Sequence, residues 1–379
     1  MSEQSRIKQC LTDPANGPSL LFFSGGSALD KTSSLLTKYT HNSIHLLTPF
    51  DSGGSSAKLR KAFNMPAVGD LRARLMAIAD DSLEGHPEAV ALFRYRLPTD
   101  QSQAALKLLV EQLQSGKHHL VEATSSTVKQ LIESNLRAFL DQVPDDFDYR
   151  GASIGNLVIT GGYLNNQHTL THVVDQISEI VNALGIVRTT SDDDLNLIAT
   201  LANGTTVSGQ HKITAKETRP LDQKIINLVL SGPSSTLDAK NHALISDADM
   251  IVYPPGSFFS SVIANLLPKG VGNAIQASNK PKVFIPNLGI DPELHDTNLV
   301  EQIEMLNQTI NKDLSERKES KAIDIVLTDS SLRSDIDNAF TDYLSEKNIQ
   351  LIDADLRGSH NGLYDERKLI EALIKIGLW

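Results

Sequence analysis

The chain has 379 residues, of which 40% are hydrophobic and 21% are charged, so it has enough apolar side chains to bury a substantial core. This balance excludes disorder over most of the chain, because disordered chains combine low apolar content with high charge. With 35 Lys and Arg against 46 Asp and Glu, the formal net charge is -11, which argues against a nucleic-acid partner.

The single cysteine, Cys10, cannot form an intramolecular disulfide, and no CxxC pair is present to hold zinc. The first fifteen residues lack the apolar core of a signal peptide, and no stretch approaches about 18 consecutive apolar residues. We therefore expect a soluble, cytoplasmic protein with no membrane partner. Its chemistry would come from Ser, Asp, Asn, Lys, Arg, backbone amides or a bound ligand.

Short apolar runs bounded by Gly, Pro, Asn and Asp predict buried strands, and the periodic segments between them predict helices. The predicted strands are 19–23, 44–48, 225–230, 250–253, 282–285, 323–327 and 349–352. The predicted helices include 31–39, 103–114, 126–140, 170–184 and 299–311. This alternation predicts an α/β fold of three layers, with a mostly parallel sheet covered by helices on both faces.

Two segments depart from the alternation. Residues 71–143 contain predicted helices and no convincing strand, so we expect a helical insertion there. Residues 187–213 end in two alternating runs around Asn203-Gly204, and Asn-Gly between such runs is a strong hairpin signal. We therefore predict one domain over residues 1–379, with a helical insertion at 71–143 and a small β-hairpin insertion at 187–213.

The first candidate site is a glycine-rich turn between the first strand and the first helix. It contains Gly25, Gly26 and Ser27, and such a turn exposes backbone N–H groups that bind phosphate. The spacing nearly matches a P-loop, but Asp30 stands where the last glycine belongs and would repel phosphate. We reject a standard NTPase, and both a plain strand–helix turn and another type of phosphate loop stay open.

The second candidate site follows the strand at 44–48 and is a run of small polar residues after a carboxylate. The run is Asp51, Ser52, Gly53, Gly54, Ser55 and Ser56. Its amides and hydroxyls can surround an anion, and Asp51 can bind Mg²⁺ or accept a proton. A cationic rim for phosphates is predicted from the residues that follow, Lys58, Arg60, Lys61, Arg72 and Arg74. The alternative is a flexible loop before a solvated basic helix.

The third candidate, Gly151 to Gly155, matches the G-x-S-x-G pattern of a hydrolase nucleophile elbow. The elbow needs a strand directly before Ser153, whereas the preceding residues are polar and typical of a turn. We therefore favour a turn that opens a helix, with Gly155 and Asn156 close to a ligand.

The fourth candidate follows the strand at 250–253, where Pro255, Gly256 and Ser257 form a turn before an apolar helix. Such a turn suits an anion or a nucleotide, although a plain Pro-Gly turn with serine caps is also possible. The carboxyl ends of parallel strands share one edge of a sheet, and ligands bind there at the switch point of strand order. Several anion-binding turns on this edge predict a ligand with more than one phosphate.

Taken together, the motifs resemble the CofD/YvcK family, which includes 2-phospho-L-lactate transferases and gluconeogenesis-factor-like proteins. The resemblance covers about residues 19–290. Its segments are Gly25-Gly26-Ser27, Asp51 to Ser56, Gly69-Asp70-Leu71-Arg72, Ala79-Asp80, Phe93-Arg94-Tyr95-Arg96, Gly155-Asn156-Leu157, Asp249, Pro255-Gly256-Ser257, Asn265-Leu266-Leu267, Pro281-Lys282-Val283 and Asn287-Leu288. The departures are Ala28 in place of the last glycine of the first loop, Ala152, and the pair Asp30-Lys31.

The resemblance implies a Rossmann-like fold and, for the transferase branch, Mg²⁺-dependent transfer of a phospholactyl-type group from a guanosine diphosphate-linked donor to a deazaflavin. By resemblance Asp51 is the catalytic or acceptor-side aspartate and the expected Mg²⁺ ligand, and Arg96 lies on the acceptor side. The Gly25 turn, Asn156 and the Gly256 turn would hold the nucleotide diphosphate.

The DSGGSS and GDLR runs are closer to the other branch, whose members are similar to nucleotide-sugar-binding regulators. The sequence therefore leaves two functions open, an enzyme and a regulator without turnover. Family members are expected to self-associate, so a homo-oligomer is possible, and the residues after 290 receive no role.

Overall fold

The computed structural model describes residues 3–26, 28–80, 82, 86–214, 221–314, 321–332, 336–359 and 362–377. Its strands are β1 (Leu20–Ser24), β2 (Ile44–Leu47), β3 (Ile186–Thr189), β4 (Leu197–Leu201), β5 (Thr206–Ser208), β6 (Ile225–Leu230), β7 (Met250–Tyr253), β8 (Lys282–Phe284), β9 (Ile325–Asp329) and β10 (Gln350–Ala354).

The helices before β4 are α1 (Glu3–Thr12), α2 (Asp30–Leu36), α3 (Gly54–Phe63), α4 (Gly69–Ala77), α5 (Pro87–Arg94), α6 (Gln103–Gln114), α7 (His119–Glu122), α8 (Ser126–Gln142), α9 (Ile154–Asn165) and α10 (Thr171–Ile180). Those after it are α11 (Gln210–Ile213), α12 (Ala239–Asp247), α13 (Val271–Ala277), α14 (Leu299–Asn311), α15 (Asn338–Glu346) and α16 (Glu366–Gly377). Phe258–Ile263 forms a π-helical turn between β7 and α13. Among the described residues, we find no helix with the length and apolar character needed to cross a bilayer.

Seven strands form one parallel sheet in the order β10-β9-β8-β7-β1-β2-β3. The chain builds outward from β1 to β3, and later outward on the other side from β7 to β10. The strand order therefore reverses between β1 and β7, which makes their carboxyl ends the expected ligand position. The predicted α/β fold with a mostly parallel sheet is confirmed.

Alternation along the central strands places apolar side chains on both faces of the sheet. Leu20 and Phe22 of β1 pack with α1, α2 and α16, while Leu21 and Phe23 pack on the other face with α13, α14 and the small second sheet. Continuous burial of β1, β2 and β7 is what a sheet covered on both faces requires. The three layers follow from this pattern.

Between β2 and β3 the chain forms α3 to α10, which have their own apolar core. Leu47 of β2 and Val187 of β3 belong to that core, so it continues into the main sheet. The stretch 71–143, predicted to be helical, contains α4 to α8 and no assigned strand among its described residues.

A second sheet is antiparallel, in the order β5-β4-β6. The hairpin predicted at Asn203-Gly204 is confirmed, and Gly204 has φ +83°. Two details differ from the sequence interpretation. Residues 187–189 belong to β3 of the main sheet, and β6 pairs with β4 rather than with a parallel strand. Apolar runs alone do not tell which sheet a short strand joins.

Candidate functional site

The turns after β1 and β7 meet at the switch point. A Cβ on Gly25 would lie 2.8 Å from Ser261 Oγ and 3.3 Å from Thr48 Oγ1, so only glycine lets the β1 turn pass this closely. A Cβ on Gly256 would lie 3.7 Å from the Cβ of Ala28. The β1 turn is therefore in contact with residues that follow both β2 and β7.

Gly26 has φ +52°, in the left-handed region that favours glycine. Its amide donates to Asp70 Oδ2 at 2.6 Å, and its carbonyl accepts from Arg74 at 3.2 Å. Helix α4 thus fixes the β1 turn, and the Gly26 amide is already paired with a carboxylate. Ser27, the third predicted residue of this turn, lies outside the described residues.

Arg74 is completely buried beneath this turn. It donates to Ser24 Oγ at 3.3 Å and lies 3.2 Å from His45 Nδ1. Burial and the nearby guanidinium hold the pKa of His45 well below its ordinary value, so its neutral ring accepts this bond. Arg74 also lies 3.4 Å from Asp30 Oδ1. The guanidinium therefore compensates the negative charge of Asp30, the residue that stands where a P-loop has its last glycine.

The loop after β2 is held from two sides. Asp51 Oδ1 accepts from the Gly53 amide at 3.1 Å, which orients the half-buried carboxylate. Ser52 Oγ accepts from the His211 amide at 3.2 Å and lies 2.8 Å from His211 Nδ1. Gly54, exposed with φ +51°, then begins α3. Helix α11, which follows the predicted hairpin, therefore packs on the serine-rich loop.

The N-termini of α3, α4 and α9 converge beside this loop. Asn156, in the first turn of α9, donates to Ser55 Oγ at 3.4 Å. A Cβ on Gly69, the first residue of α4, would lie 2.7 Å from Ser56 Oγ. None of the three helices is capped by the side chain of the residue before it. Uncapped helix N-termini favour anions, and here the partial positive charges of three of them add at one place.

Two arginines supply positive charge at this convergence. Arg72 Nε donates to Asn156 Oδ1 at 2.9 Å, and burial followed by repulsion from Arg96 lowers the pKa of Arg72 to about 10. Arg96 is exposed and donates to the Gly151 carbonyl at 3.1 Å. Within the described part of the chain, neither guanidinium has a carboxylate within ion-pair distance. Both charges are available to an anion.

The prediction of a cationic rim is wrong for three of its five residues, because carboxylates of the chain itself pair with their charges. Lys58 lies 2.7 Å from Asp148, and Arg60 lies 2.6 Å from Asp194. Arg74 is paired with Asp30, as described above. Two of these carboxylates come from segments about 90 and 134 residues away along the chain, which local sequence spacing does not show.

The turn after β7 is closed by the segment that follows β8. The Gly256 amide donates to Asn287 Oδ1 at 2.7 Å, and Asn287 Nδ2 donates back to the Gly256 carbonyl at 2.7 Å. Gly256 has φ +146°, a conformation rare for other residues. Pro255 has no amide proton, so Ser257 is the one predicted residue of this turn whose amide is free of hydrogen bonds to the described residues.

Two carboxylates occupy the start of the π-helical turn. Asp291 accepts from the Phe258 amide at 2.8 Å, and Glu293 accepts from the amides of Phe259 and Ser260 at 2.8 and 2.9 Å. The Ser260 hydroxyl adds a bond of 2.5 Å to Glu293. Burial, together with Asp291, raises the pKa of Glu293 to about 7. The amides of Phe258, Phe259 and Ser260, which directly follow the predicted turn, bind the chain's own carboxylates.

Sequence reasoning brought out the glycine turns but missed His211, Asp291 and Glu293. No local motif marks them, since each acts on a loop that is distant in the sequence. Ser153 of the G-x-S-x-G match is fully buried and donates to the Phe93 carbonyl, which agrees with the rejected elbow. Among the described residues, no group of three or more His, Cys, Asp or Glu side chains is placed to hold a metal ion.

A parallel sheet with glycine turns at its switch point defines a Rossmann-like α/β protein. The family model described as 2-phospho-L-lactate transferase CofD matches residues 20–365, and the chain belongs to this family.

The curated relatives carry another name. The chain is 27% identical to a putative gluconeogenesis factor of Thermoanaerobacterium thermosulfurigenes over 73% of this chain and 69% of that protein. It is 27% identical to a putative gluconeogenesis factor of Thermotoga maritima over 64% of this chain, and that match spans only 59% of the relative. It is 25% identical to the gluconeogenesis factor of Bacillus subtilis over 77% of this chain and 74% of that protein.

A crystal structure of a UPF0052-family protein from Bacillus halodurans has the same fold. It superposes with a TM-score of 0.69 at 20% identity, over 95% of this chain and 99% of the other.

Proposed function

We propose that this chain binds a nucleoside diphosphate or nucleotide-sugar at the switch point between β1 and β7. The observation that carries this proposal is the convergence of three uncapped helix N-termini with Arg72 beside the β1 turn. A diphosphate carries the charge and the oxygen acceptors that such a convergence stabilises.

The proposed site has two parts, one for the phosphates and one for the nucleoside. The phosphates lie over the start of α3 and α9, where Ser55 contacts Asn156 and neither helix is capped by the side chain of the residue before it. The turn at Gly256, whose amide is held by Asn287, forms the opposite wall and contacts the nucleoside.

We infer that the chain is a transferase of a phospholactyl-type group, with Asp51 beside the reacting phosphate. The Gly53 amide holds one oxygen of this carboxylate at 3.1 Å. Mg²⁺ is commonly bound by one or two protein carboxylates together with substrate phosphates and water. Asp51 fits that donor set only when the diphosphate is present, and the ion would then neutralise charge on the leaving diphosphate.

The second candidate function is a regulator that binds a nucleotide-sugar without turnover. The observation favouring it is that the curated relatives named above are gluconeogenesis factors. Both functions use the same binding site, so they differ only in what happens to the bound ligand.

Ligand-dependent thermal stability tests the binding site. GDP, GTP and UDP-sugars are added with and without Mg²⁺, and a ligand at about 100 times its Kd adds about 2.7 kcal/mol to the free energy of unfolding. Ser55→Asp places a carboxylate in the first turn of α3, where it suits the helix but repels phosphate. We expect this variant to fold and to lose the ligand shift.

Ser126→Asp, the same change at the start of the distant helix α8, is the matched control and keeps the shift. If no nucleotide stabilises the protein, both candidate functions are wrong. If a nucleotide binds and Asp51→Asn abolishes product formation but not binding, the transferase is supported. Binding without any product from a guanosine diphosphate-linked donor and a deazaflavin supports the regulator.

A further inference from the structure

A second concave surface, which we call the α2–α4–α5 groove, lies along these three helices and has a volume of about 1230 Å³. We propose that this groove binds a small anionic molecule with an apolar body, at a site distinct from the switch-point turns. The inference does not depend on the proposed nucleotide site.

The groove has positive charge that the described part of the chain does not neutralise. Lys31 and Lys38 are exposed and have no ion-pair partner there. Among the residues that the structure describes, Arg94 donates only to the Met76 carbonyl, at 2.5 Å. The one carboxylate among the lining residues described is Asp30, which is already paired with Arg74. In a chain of net charge -11, an unneutralised cluster of this kind favours an anion.

The floor of the groove is apolar and built by two helices. Ala73, Ala77 and Ala91 are half-buried or exposed and supply the accessible apolar surface of this floor, while Met76 of α4 and Val90 of α5, which are 2% and 8% exposed, close it from beneath. A purely hydrated anion such as inorganic phosphate would leave this floor uncovered. A ligand with an apolar body covers it and gains about 25 cal/mol for each Å² of apolar surface removed from water.

The volume of the groove is on the scale of a small-molecule cleft. Ligand clefts have volumes of about 300–1,000 Å³, and this groove is slightly larger. The clefts elsewhere differ in charge. The one between α8 and α10 is lined mainly by amides and hydroxyls, and the one at the amino ends of β8 and β9 has its lysines, Lys282 and Lys321, paired with Asp324.

Arg72 lines one end of the groove and also donates to Asn156 at the convergence of helix N-termini. The anionic end of a groove ligand near Arg72 would therefore lie next to the switch-point site. This position is suited to a second substrate or to an effector that changes the affinity for the nucleotide.

A matched pair of probes tests the groove. 1-Naphthyl phosphate has an apolar ring and a phosphate, and 1-naphthol has the same ring without the charge; both are followed by fluorescence titration of the full chain. We expect the phosphate to bind at least tenfold more tightly than the neutral ring, with an affinity that falls as salt rises.

Lys38→Glu reverses an exposed charge whose side chain makes no hydrogen bond or ion pair with the described residues, and we expect it to weaken the binding of 1-naphthyl phosphate at least tenfold. Adding Arg94→Gln weakens it further. Lys107→Glu, the same reversal at an exposed lysine of α6, leaves binding unchanged. Circular dichroism confirms that each variant is folded.

Three results would overturn the proposal. Equal binding of both probes shows that charge is not used. Loss of binding in Ser55→Asp but not in Lys38→Glu places the probe at the switch point instead. If Lys38→Glu changes the molecular mass by light scattering while probe binding persists, the groove is an interface between two copies of the chain.

Discussion

Burial makes the charged form of Glu293 unfavourable in the folded chain. The carboxylate is fully buried, and burial together with Asp291 raises its pKa from 4.5 to about 7, although three hydrogen bonds act in the other direction. The folded chain therefore holds this proton more tightly than the unfolded chain between these two values. By linkage, the contribution of Glu293 to the free energy of unfolding falls as pH rises from about 4.5 to about 7 and is flat above that range.

Replacing Glu293 with Gln removes this titration. We expect the wild type to lose on the order of 2–3 kcal/mol relative to Glu293→Gln between pH 4.5 and 7.5, measured by urea unfolding at several pH values. Glu179→Gln, at an exposed position of α10, should track the wild type. A difference between Glu293→Gln and the wild type that does not change with pH contradicts the raised pKa.

Arg74 is a second residue whose replacement has a specific expected effect. Arg74→Met leaves Asp30 without its cation and leaves Ser24 and the Gly26 carbonyl without a donor. We expect a loss of about 3 kcal/mol in the free energy of unfolding, by denaturant titration. Arg74→Lys recovers part of it, because it keeps the charge without the planar fork.

The surface change Arg137→Met on α8 is the control for Arg74→Met and should stay within about 0.5 kcal/mol of the wild type. A similar small effect at Arg74 would mean that water replaces its bonds, and the fixed β1 turn would need another explanation.

At the scale of elements, glycines set how closely α8 and α9 approach. A Cβ on Gly161 of α9 would lie 1.8 Å from the carbonyl oxygen of Asn135 on α8. Gly161→Ala must therefore separate the two helices, and we expect it to lower the free energy of unfolding by about 1–3 kcal/mol. At Gly377 the nearest atom is the Met250 side chain at 3.3 Å, so Gly377→Ala is the tolerated control. Equal stability of both variants would exclude this tight contact.

The elements also show where sequence reasoning succeeds and where it stops. The strands β1 and β7 and the turns after them follow from apolar runs ended by glycine, which are local signals. Strand β3 escapes prediction because it contains Arg188, a charge that a buried strand accommodates here through partners that include Asn241 and Asp238. Those partners lie about 50 residues later in the chain.

The candidate site also has parts that the sequence predicts and parts that it does not. The loops at Gly25, Asp51 and Gly256 were found because glycine and serine runs after strands are recognisable. The sequence does not show that later side chains bind the Gly256 and Phe259 amides, because this pairing depends on how the segment after β8 folds back. Sequence placed the loops at one edge, and the structure decides which amides are free.

At the scale of the whole molecule, three apolar cores share the strands of one sheet. One core covers each face, and the third fills the helical segment between β2 and β3. Leu47 and Val187 join the third core to the sheet. Because the cores share strands, the loss of one exposes the apolar surface of the others, which favours the single domain predicted over residues 1–379.

Calorimetry tests this prediction. Leu136 on α8 and Leu373 on α16 are fully buried in different cores, and each change to Ala should cost about 2–5 kcal/mol. We expect both variants to lower the midpoint of one transition whose calorimetric and van't Hoff enthalpies agree. Leu108→Ala, at a side chain 54% exposed, leaves the midpoint unchanged. If Leu136→Ala instead separates an early transition from an unchanged later one, the helical segment unfolds independently and the prediction of one domain is wrong.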